Sequence, residues 1–236
     1  MVEKRFSLTF SFIIFYLGAL LGLSLTVIAA WADLEAATYG FDDTGGELLG
    51  TLRCPILMTA DETSTVSVKV ANTTKGKLSP TIKTDVTSWL GPVTSYTPPI
   101  VLAPGESKQL KWKIGPENLE LRRFIFARAW VYGIYPLPSR ENTCGVLILN
   151  LPTNGRVITW TMTILSLLGI GFGLLGVMKF RSPVQSGMMD MLRFKLIAVL
   201  AIVGLVTAFM GWWLLGIIAV VVFLLLLVVS VFTVGR

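Results

Sequence analysis

From Leu196 to Gly235 the chain carries no charged side chain, and two further stretches, Phe6 to Ala32 and Val157 to Met178, are equally free of charge. An uncharged apolar run of roughly 20 residues is long enough to cross a bilayer as a helix. Residues 1–32 and 156–178 therefore read as single transmembrane helices. The run in 196–236 is too long for one crossing. Gly211-Trp212-Trp213 lies near its middle, and tryptophan favours the membrane–water interface, where the ring is half buried and the indole N–H finds a partner. A tight turn there divides the run into a helical hairpin, with helices at about 195–211 and 214–234. Trp212 and Trp213 are its expected interface residues.

The charges give this plan a direction. The protein has a net charge of +6, yet the segment from Asp33 to Gly155 holds twelve acids and twelve bases. Most of the surplus lies at Lys4 and Arg5, at Lys179, Arg181, Arg193 and Lys195, and at Arg236. Basic residues in short loops stay on the cytoplasmic side. Both termini and the basic loop 179–195 are then cytoplasmic, and residues 33–155 are extracytoplasmic, in a multi-pass protein of the cell membrane. Lys4-Arg5 before an apolar run, with Ala30-Trp31-Ala32 after it, also has the layout of a signal peptide. The run is longer than the usual 7–15 residue apolar region of such peptides, so an uncleaved anchor is the expectation; either reading exports the domain.

Within 33–155 the pattern changes. Val66, Val68 and Val70 alternate with Ser67, Lys69 and Ala71, and Ile82, Thr84 and Val86 with Lys83, Asp85 and Thr87. Leu110, Trp112 and Ile114 alternate with Gln109, Lys111 and Lys113. This period of two marks strands with one buried and one wet face. Phe124–Tyr132 and Gly145–Leu151 are further strand candidates, and Gly50–Met58 reads as an edge strand broken by Pro55. Turn clusters separate them, among them Asn72–Gly76, Pro98-Pro99, Pro104-Gly105 and Pro136–Pro138. Short strands at this spacing predict an antiparallel β-sandwich. The fold class is thus an α+β membrane protein, an exported sandwich carried by four transmembrane helices.

The stretch "VSVKVANTT", then a strand, then "LAPGESKQLKWKI" resembles the immunoglobulin-like accessory modules of bacterial and archaeal surface proteins. The resemblance covers about residues 65–114 and implies the fold; those modules do many jobs. It differs from antibody-type domains, since no Cys-Trp-Cys core spacing is present. The two cysteines, Cys54 and Cys144, lie near the ends of the exported segment. In an oxidising compartment an even count implies a bridge. Its loop of about 90 residues would contribute about 4 kcal/mol in the chain-entropy picture.

Chemistry is hard to place on this chain. It has no histidine, which removes the commonest general base and metal ligand. It has no phosphate-binding glycine loop, and no ionisable residue inside the predicted spans of the kind transporters keep there. No cofactor, metal or nucleic acid is expected, and the protein reads as non-catalytic. The acidic pairs Asp42-Asp43 and Asp61-Glu62 read as solvated turn residues, and Asn72-Thr73-Thr74, though a glycosylation sequon, as a turn. "SGMMDMLRFK" (186–195) reads as the start of a short helix lying on the membrane. Gly18-x-x-x-Gly22 and Gly169-x-x-x-Gly173 form small helix-packing surfaces, which serve either docking against another subunit or packing among the chain's own helices. The expected role is an accessory or scaffold subunit of a membrane or envelope complex. Its contacts would be membrane lipid and an integral-membrane partner or a second copy, made by the exported domain and the glycine faces. The alternative is a surface adhesin or ligand-binding receptor that uses the helices only as an anchor.

The orientation is open to a direct test. Cysteines introduced singly near Gln185 and Thr97 should react differently with a membrane-impermeant reagent in intact cells. Modification at Thr97 alone is expected; modification at Gln185 would reverse the assignment.

Overall fold

The computed structural model describes residues 2–41, 45–97, 100–133, 135, 137–180 and 188–234. The chain divides into a helical unit, residues 1–30 with 157–236, and a β unit, residues 31–156.

Among the described residues the helices are α1 (Val2–Thr38), α2 (Gly155–Phe180), α3 (Met188–Met210) and α4 (Trp213–Val234). The first three are long and apolar enough to cross a membrane, and the 22-residue α4 carries no charged residue. α3 ends at Met210, the next residue is Gly211, whose φ of +67° suits a glycine, and α4 begins two residues after it. The divide expected at Gly211-Trp212-Trp213 is where the helix breaks. The basic loop is shorter than 179–195, because α2 runs to Phe180 and α3 begins at Met188. Residues 188–195 are thus the first turns of α3 rather than a separate helix lying on a surface. Arg181 and Gln185 lie outside the described residues.

Glycine governs how α1 meets α2. A Cβ on Gly18 would stand 2.7 Å from the Ile170 nitrogen and 2.8 Å from Gly169 Cα, and one on Gly173 would stand 2.5 Å from Phe15 Cα. A Cβ on Gly22 would stand 2.6 Å from Ser166 Oγ. All four predicted packing glycines therefore lie in the chain's own α1–α2 contact, the small surfaces that let helix backbones approach. Of the two uses their spacing allowed, packing among the chain's own helices is the one these contacts display. Phe15, Ala19, Ile170, Ile197, Ala201 and Phe223 form the core of this unit. Buried hydroxyls bond back along their own helices, Thr26 to the Gly22 carbonyl at 2.9 Å and Thr163 to the Thr159 carbonyl at 2.8 Å.

The β unit holds β1 (Glu47–Leu48), β2 (Leu52–Arg53), β3 (Leu57–Thr59), β4 (Ser64–Ala71), β5 (Ile82–Val86), β6 (Val93–Thr97), β7 (Ser107–Ile114), β8 (Phe124–Val131) and β9 (Arg140–Leu149). One sheet runs β1-β9-β8-β5-β6, with β3 also on β9; the other runs β2-β4-β7. In chain order β4 lies in the small sheet, β5 and β6 in the large one, β7 back in the small one and β8 and β9 in the large one. That alternation is the Greek-key order of an immunoglobulin-like sandwich. The sandwich is not wholly antiparallel, because β1 and β3 pair parallel with β9. The segment read as one edge strand, Gly50–Met58, holds two short pieces, β2 in the small sheet and most of β3 in the large one, with Pro55 at the crossing between them. Val66, Val68, Ile82, Ile114, Ile125, Ala127 and Val146 fill the space between the sheets. Cys54 and Cys144 are joined across it, their Cα atoms 6.3 Å apart.

α1 continues past Ala32 to Thr38, so its last turns belong to the β unit, which starts at Trp31. Ala32 and Ala36 cover Phe124 and Phe126 on the outer face of the large sheet. Asp33 is buried and accepts the Gly145 N–H at 3.0 Å. The chain fits there because position 145 has no side chain, as a Cβ would overlap the Ala32 carbonyl.

Gly145→Ala should therefore lower the stability of the sandwich by about 1–3 kcal/mol, the usual cost of forcing atoms into a packed site. Gly171→Ala, which meets open space, should not. Thermal unfolding of both variants in the same detergent makes the comparison, and equal behaviour would contradict the packing described.

Candidate functional site: the outer face and open edge of the large sheet

The half of the outer face that α1 does not cover is polar, and its side chains come from four neighbouring strands. Register sets Asp85 of β5 beside Arg128 of β8 on one side and Thr94 of β6 on the other. The Asp85 carboxylate accepts the Thr94 hydroxyl at 2.6 Å and lies 3.3 Å from Lys83 Nζ and 3.9 Å from Arg128 Nη1. Arg128 Nη2 reaches Glu141 of β9. Lys83, Asp85, Arg128 and Glu141 thus alternate in sign across the sheet, with the Arg128 and Asp85 side chains only 3% and 5% exposed.

An aromatic group continues this row. The Arg128 guanidinium stands 5.7 Å from the Trp130 ring centre, a favourable cation–π distance. Trp130 stacks on Tyr132 at 4.0 Å. Loss of water around the Tyr132 phenol, with Tyr96 hydrogen-bonded to it, raises its pKa above the ordinary tyrosine range. Tyr132 is therefore neutral at physiological pH. Trp130 Nε1 is buried with no hydrogen-bond partner among the described residues.

Beside this row lies β6, which ends the sheet and, among the described residues, pairs only with β5. Its side chains are exposed along nearly its whole length, Val93 and Tyr96 among them. An edge strand presents an unpaired line of main-chain donors and acceptors. At the end of the sandwich where β8 gives way to β9, a cavity of about 140 Å³ opens between the sheets, lined by Leu48, Lys69, Val70, Leu102, Tyr132 and Arg140 among others. Among the described residues no group of three or more Asp, Glu, Cys or His side chains could hold a metal ion.

Several predicted residues serve the fold. Glu62 is not a solvated turn residue, because its carboxylate accepts the N–H groups of Thr59 at 3.0 Å and of Gly155 at 2.7 Å. A carboxylate at the first residue of α2 takes up one of the main-chain donors that a helix start leaves outside its own ladder, and it suits the helix dipole. Asn72 is buried, with its side-chain amide donating to the Gly76 and Leu102 carbonyls and accepting from Thr74. It organises the turn, and its nitrogen is not presented for a glycan. Asp42 and Asp43 lie outside the described residues. The Arg128–Asp85–Glu141 row was missed in the sequence because Asp85 reads as part of a wet face, Arg128 as one residue of an aromatic strand, and Glu141 as lying outside any strand. The available signal was a charge at facing positions on three strands.

No family model and no curated protein matches the chain. Among solved structures, a CARDB domain from Pyrococcus furiosus, solved with di-metal ions, matches at 15% identity over 47% of this chain and 99% of its own, with a TM-score of 0.32. A cycloisomaltooligosaccharide glucanotransferase from Paenibacillus sp. matches at 10% identity over 43% of this chain, TM-score 0.33. A β-glucosidase from Erythrobacter marinus matches at 17% over 39%, TM-score 0.29. The match spans only 14% of the length of each of these two enzymes. At such scores nothing about activity or binding carries over to this chain.

Removing one member of a buried ion row leaves its partners charged and unpaired, at a cost of about 3–5 kcal/mol. Arg128→Met should destabilise the sandwich by that order. Arg140→Met, which breaks an exposed pair with Glu47, should cost no more than about 1 kcal/mol. Denaturant unfolding of the two variants checks the ranking, and equal losses would show that the row is not an interacting unit.

Proposed function

We propose that this protein is a non-catalytic membrane subunit that holds an immunoglobulin-like sandwich outside the cytoplasm and uses the sheet edge β6 to bind a protein partner. The observation that carries the reading is β6 itself, an unpaired edge with Val93 and Tyr96 exposed. An extended segment of a partner adds to such an edge through main-chain hydrogen bonds, while alternate side chains give specificity.

The membrane part rests on the helical unit. Its outward side chains are apolar, among them Phe172, Leu175, Val199, Val206, Leu214 and Leu225. Soluble proteins rarely expose continuous apolar area on that scale. With the helices as spans, Trp212 and Trp213 stand at an interface of the bilayer. The glycines Gly18, Gly22, Gly169 and Gly173 hold the subunit's own helices together. The partner is an integral-membrane protein or a second copy of this chain.

A second reading, a ligand-binding receptor anchored by its helices, draws on the cavity at the other end of the sandwich. There, Gly50→Trp should fill the cavity and abolish ligand capture while assembly continues.

In β6 the main-chain groups of Val93, Ser95 and Thr97 face β5, as the reciprocal Ser88–Gly91 bonds and the register require, so the outward donors are those of Thr94 and Tyr96. Proline at Tyr96 removes a main-chain donor from the open edge and cannot continue a ladder there. Tyr96→Pro should cut recovery of the complex about tenfold, the equivalent of ~1.4 kcal/mol. Recovery is normalised to the amount of this protein in the membrane with its disulfide formed. Ser107→Pro, at the start of β7 in the other sheet, is the control for general damage. Unchanged recovery with Tyr96→Pro would overturn the edge as the docking site.

A further inference from the structure

The end of the sandwich at which β9 gives way to α2 carries loops of a composition unlike the rest of the β unit. Ser88–Gly91 closes the β5–β6 hairpin as a tight turn, with reciprocal main-chain bonds of 3.1 and 2.9 Å between Ser88 and Gly91, the latter at φ +111°. The residues at its tip, Trp89 and Leu90, are each 81% exposed. The turn before β8 is at the same end, since Thr87 N–H bonds to the Phe126 carbonyl. There Leu121 and Arg122 stand at φ +48° and +61°, a conformation L side chains seldom adopt without something to hold it. Main-chain bonds between Glu120 and Phe124, and from Ile148 N–H to the Arg123 carbonyl, hold it. Leu121 is 63% exposed, and Arg122 and Arg123 are exposed without an ion pair among the described residues. Leu151, on the connection to α2, and Arg156, in its first turn, are exposed as well.

The acids at this end are accounted for differently. Glu62 is engaged by the start of α2, and Glu120 accepts the Tyr39 hydroxyl at 3.2 Å. Asp61 and Glu117 are exposed, in the loops that lead into β4 and out of β7. The loops around the large sheet are therefore apolar at their tips and basic at their shoulders.

We propose that this end of the sandwich binds the bilayer surface, with Trp89, Leu90 and Leu121 entering the headgroup–acyl boundary and Arg122 and Arg123 holding anionic lipid phosphates. Exposed Trp and Leu suit that boundary, where a ring is half in hydrocarbon and half in water. Basic residues near an anionic surface are drawn to it, and arginine matches phosphate geometry with two parallel donors. Position supports the same occupant. Only five residues separate the end of β9 from the start of α2, so the chain itself tethers this end of the sandwich within a few residues' reach of any bilayer that α2 enters. The inference rests on the membrane reading of the helices. It adds that the sandwich touches lipid through its own loops and is not merely tethered.

The test uses the full chain in vesicles of phosphatidylcholine, with and without phosphatidylglycerol. Nitroxide labels are placed singly at Leu90, Leu121, Thr73 and Val203 through cysteine substitutions. Accessibility to oxygen and to a polar relaxation agent reports depth. With phosphatidylglycerol present, the labels at 90 and 121 should show oxygen-to-polar ratios several-fold above that at 73. The double variant Arg122→Gln, Arg123→Gln should lower the ratio at 121 toward the value found without anionic lipid. Water-like ratios at 90 and 121 would overturn the proposal, as would burial from both agents, which marks a protein contact instead. The label at 203, on an outward face of α3, separates the two levels. If it reports hydrocarbon while 90 and 121 report water, this proposal fails and the spans stand. If it reports water, the membrane reading itself fails.

Discussion

At Gly145 the two sides of one strand position are both committed. Its neighbour Cys144 points into the sandwich and is tied to Cys54, while the outer side lies so close to the Ala32 carbonyl that no side chain fits. The Gly145 N–H then meets the Asp33 carboxylate. The end of α1 can rest on Phe124 and Phe126 only because β9 is bare at this point. That contact decides how the outer face is divided. One part is covered by helix, one part is closed over by the buried ion row, and the edge at β6 is left open.

The interactions that hold this arrangement differ in weight. The disulfide loop spans 90 residues, worth about 4 kcal/mol against the unfolded chain. The Lys83–Asp85–Arg128–Glu141 row gains little net energy over an apolar equivalent, because taking the charges out of water offsets most of their attraction. It is costly only to break. Its effect is on pairing, since a shift of β5 or β8 by one residue would bury charge without a partner. The Arg140–Glu47 pair, half exposed, adds little by comparison. A defined register in β5 keeps β6 in place beside it, and a recognition edge needs that register fixed.

Much of the fold could be read from residues whose environment is one-sided. Val66, Val68 and Val70 alternate because one face of β4 is buried, and the hydrophobic runs end at charges. The cysteines could be paired because only two exist. β6 escaped because both its faces are wet, so "VTSYT" shows no period. The first half of β9, Arg140 to Cys144, escaped because its polar side chains meet other polar side chains. Asp33 and Glu35 ended the apolar run and moved the expected boundary to Ala32, although neither ends a helix. Of the candidate site, the wet face of β5 was legible and its burial was not. Whether Asp85 meets water or Arg128 depends on a strand some forty residues away, and alternation along one segment says nothing about that neighbour. The glycine spacing announced close helix contact without saying which helix was the partner.

Hydrogen exchange at the main-chain amides of Val93–Thr97 tests the central claim most directly. It should be followed in the purified protein and again in native membranes, where the proposed partner would be present. In the purified protein, the outward-facing amides of β6 should exchange as fast as an open strand edge allows, while those of β8 stay protected. In the native membrane the same β6 amides should slow, because a partner's main chain has taken up their donors. Equal exchange of β6 in both settings, with β8 protected in each, would contradict the account, since the edge would then be open where the protein works.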